Sequence, residues 1–278
     1  MTAAAQAWLA GRPSVSLVAL RCRTSDRTPG GVRGAEALAP RLARLLGVEP
    51  RLIGSPGEPR PAGFEDDLRD SRGCLLEAGG QVDDALSAER FPVLLASDCS
   101  ICMTTLPTVL RHVPEARILW LDAHGDFNTP ETTPSGFLGG MCLAAACGRW
   151  DAGLSDDGRV DPARVVMCGV RDLDGGERVE LERAGIGTVG PDRLAGALED
   201  EAVFVHLDLD VLDPDVLPAQ FAVPHGLSDT GLRTLLAEVA RECEVIGVEV
   251  TAFEAPEDAD ERARRTALAA SIVRALLP

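Results

Sequence analysis

Short apolar runs recur along the chain and alternate with stretches whose apolar residues return every three to four positions. The runs are Ser16–Leu20, Arg51–Gly54, Phe91–Ser97, Arg117–Ala123, Val165–Val170, Gly185–Val189, Ala202–Leu209 and Val245–Phe253. Each reads as a strand. The helical spacing falls at Gly34–Leu46, Phe64–Leu86, Leu138–Ala146, Asp229–Ala240 and Asp260–Leu277. Strands alternating with helices predict βαβ units and a mainly parallel sheet. Runs as continuously apolar as PVLLAS and ILWLDA predict a sheet covered on both faces. Pro-rich loops at 55–61 and 130–134 and a polar loop at 154–162 interrupt the pattern, but no linker divides it and no repeat of fixed period appears. The expectation is an α/β fold: one domain over residues 1–278, a three-layer αβα sandwich with about eight strands.

Acidic residues gather where strands end. Asp98 follows PVLLAS, Asp122 to Asp126 follow ILWL, and Asp208 to Asp213 follow VFVHL. In a parallel sheet these ends share one edge, where ligands bind. Asp122, His124 and Asp126 occupy every second position, and side chains two apart on extended chain point the same way. Asp208 and Asp210 repeat the pattern. Together these five side chains form an oxygen-rich donor set that suits Mn²⁺, with Mg²⁺ or Fe²⁺ as neighbours in preference. So many carboxylates in one cleft require cations to offset their repulsion. Singly, DAHGD also fits a solvated loop, and DLD before Asp213–Pro214 fits a strand-ending turn. The recurrence at two strand ends is what favours a site.

Composition narrows the partners. The net charge is −17, from 44 acids and 27 bases, which argues against nucleic acid and anionic membranes. No apolar run approaches the roughly 20 residues that cross a bilayer. The opening MTAAAQAWLAGRPS lacks the basic start and apolar core of a signal peptide. Eight cysteines are present. Cys99 and Cys102 have CxxC spacing but no second such pair, so most cysteines are expected to be small buried hydrophobes in a reduced cytoplasm.

The segments DAHGDFNTP, SGFLGGM, GVRDLDGGE and HLDLDVLDP together resemble the arginase, agmatinase and formiminoglutamase (ureohydrolase) superfamily over about Phe91 to Pro256. The resemblance implies an αβα fold with an eight-stranded parallel sheet. It also implies a binuclear manganese centre that activates water against a guanidinium-type carbon, a trimer or hexamer, and a small guanidino amino acid as substrate. By the same resemblance, Asp122 and Asp208 bridge the two metals, Asp126 completes one, and His124 with Asp210 completes the other. Cys99, in Ala96–Ser100, stands where the family carries a histidine. A thiolate there binds metal too, and opens that position to Fe²⁺, Co²⁺ or Zn²⁺. Asn128, Thr133 and Ser135 match positions that hold an α-carboxylate; Asp174 and Glu177 match positions that hold an α-amino group. As ordinary structure, Asn128 and Ser135 fit turn or cap positions, and Asp174 fits a helix N-cap.

Two family residues are replaced. Gly139 stands in place of the proton-shuttling histidine, and Ala252 in place of the guanidinium-binding glutamate. Glu254, two positions on, faces the same way on extended chain and is the candidate replacement; Glu249 has the opposite parity. His225 in VPHGLS is a candidate for the lost acid–base function, though a surface turn accounts for it more readily. With Asp126 and Glu254 it completes the candidate catalytic set. One branch, the Nω-hydroxy-L-arginine hydrolases of the D-cycloserine pathway, shares the cysteine and the LGGM pattern. Its resemblance implies a secondary-metabolism hydrolase that yields L-ornithine and hydroxyurea. The alternatives are an impaired relative with a ligand-binding or scaffold role, and a hydrolase of a non-guanidine C–N bond.

Overall fold

The computed structural model describes residues 14–154 and 158–277. The start of the chain, on which the signal-peptide expectation bears, and residues 155–157 of the polar loop lie outside them. Seven strands form one sheet among the described residues: β1 (Val15–Leu20), β2 (Arg51–Ile53), β3 (Phe91–Leu95), β4 (Arg117–Leu121), β5 (Val165–Cys168), β6 (Ala202–Asp208) and β7 (Glu244–Thr251). Their order is β2-β1-β3-β7-β6-β4-β5, and every pairing is parallel. Gly185–Val189 is not an eighth strand. Two glycines among five residues weaken it as a strand, and a single bridge from Met167 to Thr188 remains.

The helices are α1 (Gly30–Leu46), α2 (Phe64–Ser87), α3 (Cys102–His112), α4 (Cys142–Ala146), α5 (Gly175–Ala184), α6 (Pro191–Ala197), α7 (Asp229–Glu242) and α8 (Ala259–Arg274). Alternation along β4 shows how they form two layers. Leu119 and Leu121 pack with Leu38, Leu42, Leu236 and Ile272 of α1, α7 and α8. Ile118 and Trp120 pack with Leu75, Val82 and Leu106 of α2 and α3. Opposite parity buries opposite faces. In α1 the buried Val32, Ala35, Leu38, Ala39 and Leu42 keep helical spacing, and Gly47 ends the helix at φ 68°. Ser228 and Asp258 cap α7 and α8 through their side chains.

Cysteine usage departs in part from expectation. Cys22, just after β1, is disulfide-bonded to Cys74 of α2, with a Cα–Cα distance of 6.4 Å. That pair runs against a uniformly reduced set of thiols. Cys99, Cys102, Cys142, Cys147 and Cys168 are buried and unpaired. Among the described residues no helix is long and apolar enough to cross a membrane.

One arginine braces the loops beyond the sheet edge. Arg171 donates to the carbonyls of Gly169, Asp210, Val211, Leu212, Val223 and Pro224 at 2.8–3.3 Å. Arg171→Ala is therefore expected to cost about 3 kcal/mol, read as a lower urea midpoint, with faster proteolysis within 212–226. An unchanged midpoint would rule this brace out.

Candidate metal centre

The four central strands, β3, β7, β6 and β4, deliver their carboxyl ends to one cavity of about 420 Å³. β3 leads into Asp98 and Cys99, β4 into Asp122, His124 and Asp126, and β6 into Asp208 and Asp210. β7 leads into Ala252 and Glu254, and all of these line the cavity. Leu121 lies opposite Leu207 in the β4–β6 register, so Asp122 and Asp208 emerge side by side.

Local geometry then turns each group inward. Asp122 Oδ1 accepts from the His124 amide, and Asp208 Oδ1 from the Asp210 amide. Strand alternation does not carry as far as Asp126. Its φ is 49°, a conformation uncommon for a non-glycine residue, and its carbonyl accepts from Leu143 and Ala144 at the start of α4. The turn, not extended chain, aims Asp126 at the cavity.

The donors fall into two groups that share Asp122. In one, His124 Nδ1 lies 3.0 Å from Asp210 Oδ2 and 3.5 Å from Asp122 Oδ1. In the other, Cys99 Sγ lies 2.8 Å from Asp208 Oδ2 and 3.9 Å from Asp122 Oδ2. The two oxygens of Asp122 thus face different groups. Asp122, Asp126, Asp208 and Asp210 are all buried. Burial, then neighbouring aspartates, push Asp122 and Asp208 far above the ordinary carboxylate range; burial and Asp122 do the same to Asp126. Burial works to lower His124, but hydrogen bonds to Asp122 and Asp210 outweigh it and push the imidazole up to about 12. His124 in turn outweighs the burial of Asp210 and holds it below its usual value. The raised carboxyls mark places where the charged form is disfavoured unless a cation is close by. A hard, mostly oxygen donor set with one imidazole and one thiol fits divalent cations.

The substrate candidates separate. Asn128, Ser135, Asp174, Glu177 and Glu254 line the cavity. Asn128 donates to Asp174 at 3.0 Å. Both oxygens of Glu177 are already engaged, by the amides of Phe127 and Asp174. Thr133 is not brought to the cavity; its hydroxyl accepts from Gly136 and shapes the loop. Nor is His225: it is exposed in a turn at φ 66°, its amide held by Asp213, and it is not among the cavity-lining residues. Ala252 has φ 55°, so Glu254 reaches the cavity by a turn, not by strand parity. Glu254 accepts from Thr28 at 2.8 Å and lies against Gly30 at the start of α1. A Cβ at Gly30 would sit 1.9 Å from that carboxylate. At Gly139 a Cβ would meet the Phe137 ring at 2.5 Å and Asp98 at 2.9 Å. The place of the missing histidine is filled.

Several lining residues carry no local pattern. Phe137 and Phe221 meet at 4.7 Å at the mouth, with Arg27 over Phe137 at 4.9 Å. Asp26 is buried beside Ser97, which donates to it at 2.7 Å. The discernible hint was the glycine-rich GGVRG that follows Asp26, where α1 must approach other backbone closely.

The whole defines an α/β protein with two adjoining groups of candidate cation donors on its carboxyl edge. The model of the Arginase family matches residues 65–277. The Nω-hydroxy-L-arginine amidinohydrolase of Streptomyces lavendulae is 33% identical over 264 residues, 93% of this chain and 96% of that protein. An arginase of Bacillus caldovelox is 38% identical over 155 residues, 49% of this chain and 52% of that enzyme. The native structure of the B. caldovelox arginase at pH 5.6 matches with a TM-score of 0.80 and 25% identity, over 95% of this chain and 98% of that one. The chain belongs to the arginase family.

Burial, and then the charge of Asp98, raise Asp26 to about 7. The unfolded value is about 4, so the folded chain holds the extra proton between these limits. Stability from this group therefore falls as pH rises from about 4 to about 7 and levels off above. Asp26→Asn is expected to flatten the decline in melting temperature between pH 5 and 8. An equal slope in both proteins would exclude this role.

Proposed function

We propose that this chain is a metal-dependent ureohydrolase that cleaves the guanidino C–N bond of an amino acid, with Nω-hydroxy-L-arginine converted to L-ornithine and hydroxyurea. The observation that carries it is the sharing of buried Asp122 between two donor groups. The named activity of the Streptomyces lavendulae relative, aligned over nearly the whole chain, supports the substrate. Two Mn²⁺ are the proposed ions, with Fe²⁺, Co²⁺ or Zn²⁺ open at the Cys99 end. When bound, such a pair lowers the pKa of a shared water and supplies a nucleophile at neutral pH.

Asp122 and Asp208 would serve both ions, Cys99 and Asp126 would complete the set for one, and His124 and Asp210 the set for the other. Asn128 and Ser135 orient the substrate carboxylate, and Asp174 its amino group. Glu177 fixes the loop of Phe127 and the start of α5. Glu254 accepts hydrogen bonds from the reacting guanidine in place of the carboxylate absent at Ala252. Phe137 closes the space beside Gly139 and excludes water there. A hydroxyguanidine is less basic than a guanidinium, which suits a site without the shuttle histidine.

The chain is taken as one arginase-like domain, because one sheet spans it and helices cover both faces. The five buried unpaired thiols favour a cytoplasmic setting; the Cys22–Cys74 bond points the other way. A trimer or hexamer rests on resemblance, and light scattering decides it.

Purified protein with Mn²⁺ is expected to release ornithine from Nω-hydroxy-L-arginine and little urea from arginine. No ornithine from either substrate, with two ions bound, would overturn the proposal in favour of a non-catalytic relative. Asp208→Ala should remove both ions, as read by elemental analysis, along with activity. Glu254→Gln should keep both ions and lower kcat/KM about 100-fold; an unchanged kcat/KM would remove Glu254 from the site.

A further inference from the structure

Behind the metal centre lies a buried polar chain to which the proposed reaction assigns nothing. Thr105 Oγ1 donates to Glu249 Oε2 at 2.5 Å. Glu249 Oε1 lies 2.6 Å from His206 Nδ1, and His206 Nε2 lies 3.3 Å from Cys99 Sγ. Thr105, Glu249 and His206 are all 0% exposed. Trp120 stacks on the imidazole, with ring centroids 3.7 Å apart and planes within 2°.

Apolar side chains would fill the same volume without the desolvation cost of a carboxylate and an imidazole. A fully satisfied polar chain instead holds its members in one arrangement. Glu249 engages Nδ1, which turns Nε2 toward the sulfur, and Trp120 fixes the ring plane. An imidazole held by a carboxylate on one nitrogen is the usual brace of a metal site. Here the other nitrogen meets a candidate donor atom, Cys99 Sγ.

The parity of β6 explains the placement. His206 and Asp208 share a face of the strand, so His206 lies one step deeper than Asp208, beneath the sulfur. Cys99 follows β3 in a single 3-10 turn, Cys99–Ile101, which leaves its side chain to be held by what it touches. Asp208 at 2.8 Å holds it from the cavity side, and buried Thr251 lies 3.2 Å from it. His206 holds it from the core side. Sγ, Asp122 and His206 present ligating atoms within 4.8 Å of one another.

We propose that His206 is a positioning residue: braced by Glu249, it keeps Cys99 Sγ at the Asp122–Asp208 end of the centre and sets that end's affinity for cation. This rests on Cys99 being a donor. Co²⁺ is the probe, because a thiolate ligand gives it a charge-transfer band in the near ultraviolet.

The protein loaded with Co²⁺ should show that band, and Cys99→Ser should abolish it. His206→Gln should weaken Co²⁺ binding about 10–100-fold and lower the band intensity per bound ion. Glu249→Gln keeps the side-chain shape and should shift both quantities in the same direction; it serves if His206→Gln fails to fold. Added to Cys99→Ser, the His206 change should alter Co²⁺ affinity less than about twofold, because its effect runs through the sulfur. Absence of the band in the unmodified protein overturns Cys99 as a donor and the inference with it. A band indifferent to His206 and Glu249, or an equal loss of affinity in both Cys99 backgrounds, overturns the inference alone.

Discussion

Four carboxylates withdrawn from water at the ends of neighbouring strands are the constraint around which this molecule is arranged. Asp122, Asp126, Asp208 and Asp210 repel one another in a poorly solvated space. Against its own burial, hydrogen bonds to Asp122 and Asp210 hold the His124 imidazole well above its usual range. A sheet covered on both faces provides the burial, and a parallel sheet places the ends together. The irregular backbone at Asp126 and the brace from Arg171 are local costs of keeping that edge ordered. A pair of divalent cations relieves the repulsion that the fold creates.

Much of this was legible in the chain because the period of the apolar residues and the position of the acids agree. The parallel sheet followed from continuous strands, and Asp122, His124, Asp208 and Asp210 stood out as charges at strand ends. Parity served wherever strands persisted. It set Glu249 aside from the cavity, where the structure also leaves it. It failed where the backbone turns: Asp126 and Ala252 have positive φ, which no two-residue period describes. Asp26 was invisible because its partners lie far off in sequence. His206 looked like one more residue of an apolar strand, and only packing joins it to Cys99 and Glu249.

The departures from the family pattern are concerted. Gly139 is not an empty place awaiting a histidine, since Phe137 and Asp98 already fill it. Glu254 enters the cavity from the same loop as Ala252, bonds to Thr28 and rests against Gly30. The thiol at Cys99 has its own buried support. Each replaced position is thus packed by side chains of this chain's own.

The glycines of GGVRG extend that coherence away from the metals. Gly34 carries no Cβ where the carbonyl of Phe253 would lie 1.8 Å from it, and Gly30 yields the same room to Glu254. The first helix is thereby pared to bare backbone along the side that receives the tail of the last central strand. The seat of Glu254 at the cavity accordingly depends on absence of bulk some 220 residues away (Gly30 against Glu254). Relatives with a cavity of this shape should be sought by that pairing of a slender helix with a distant glutamate, as much as by the strand-end aspartates.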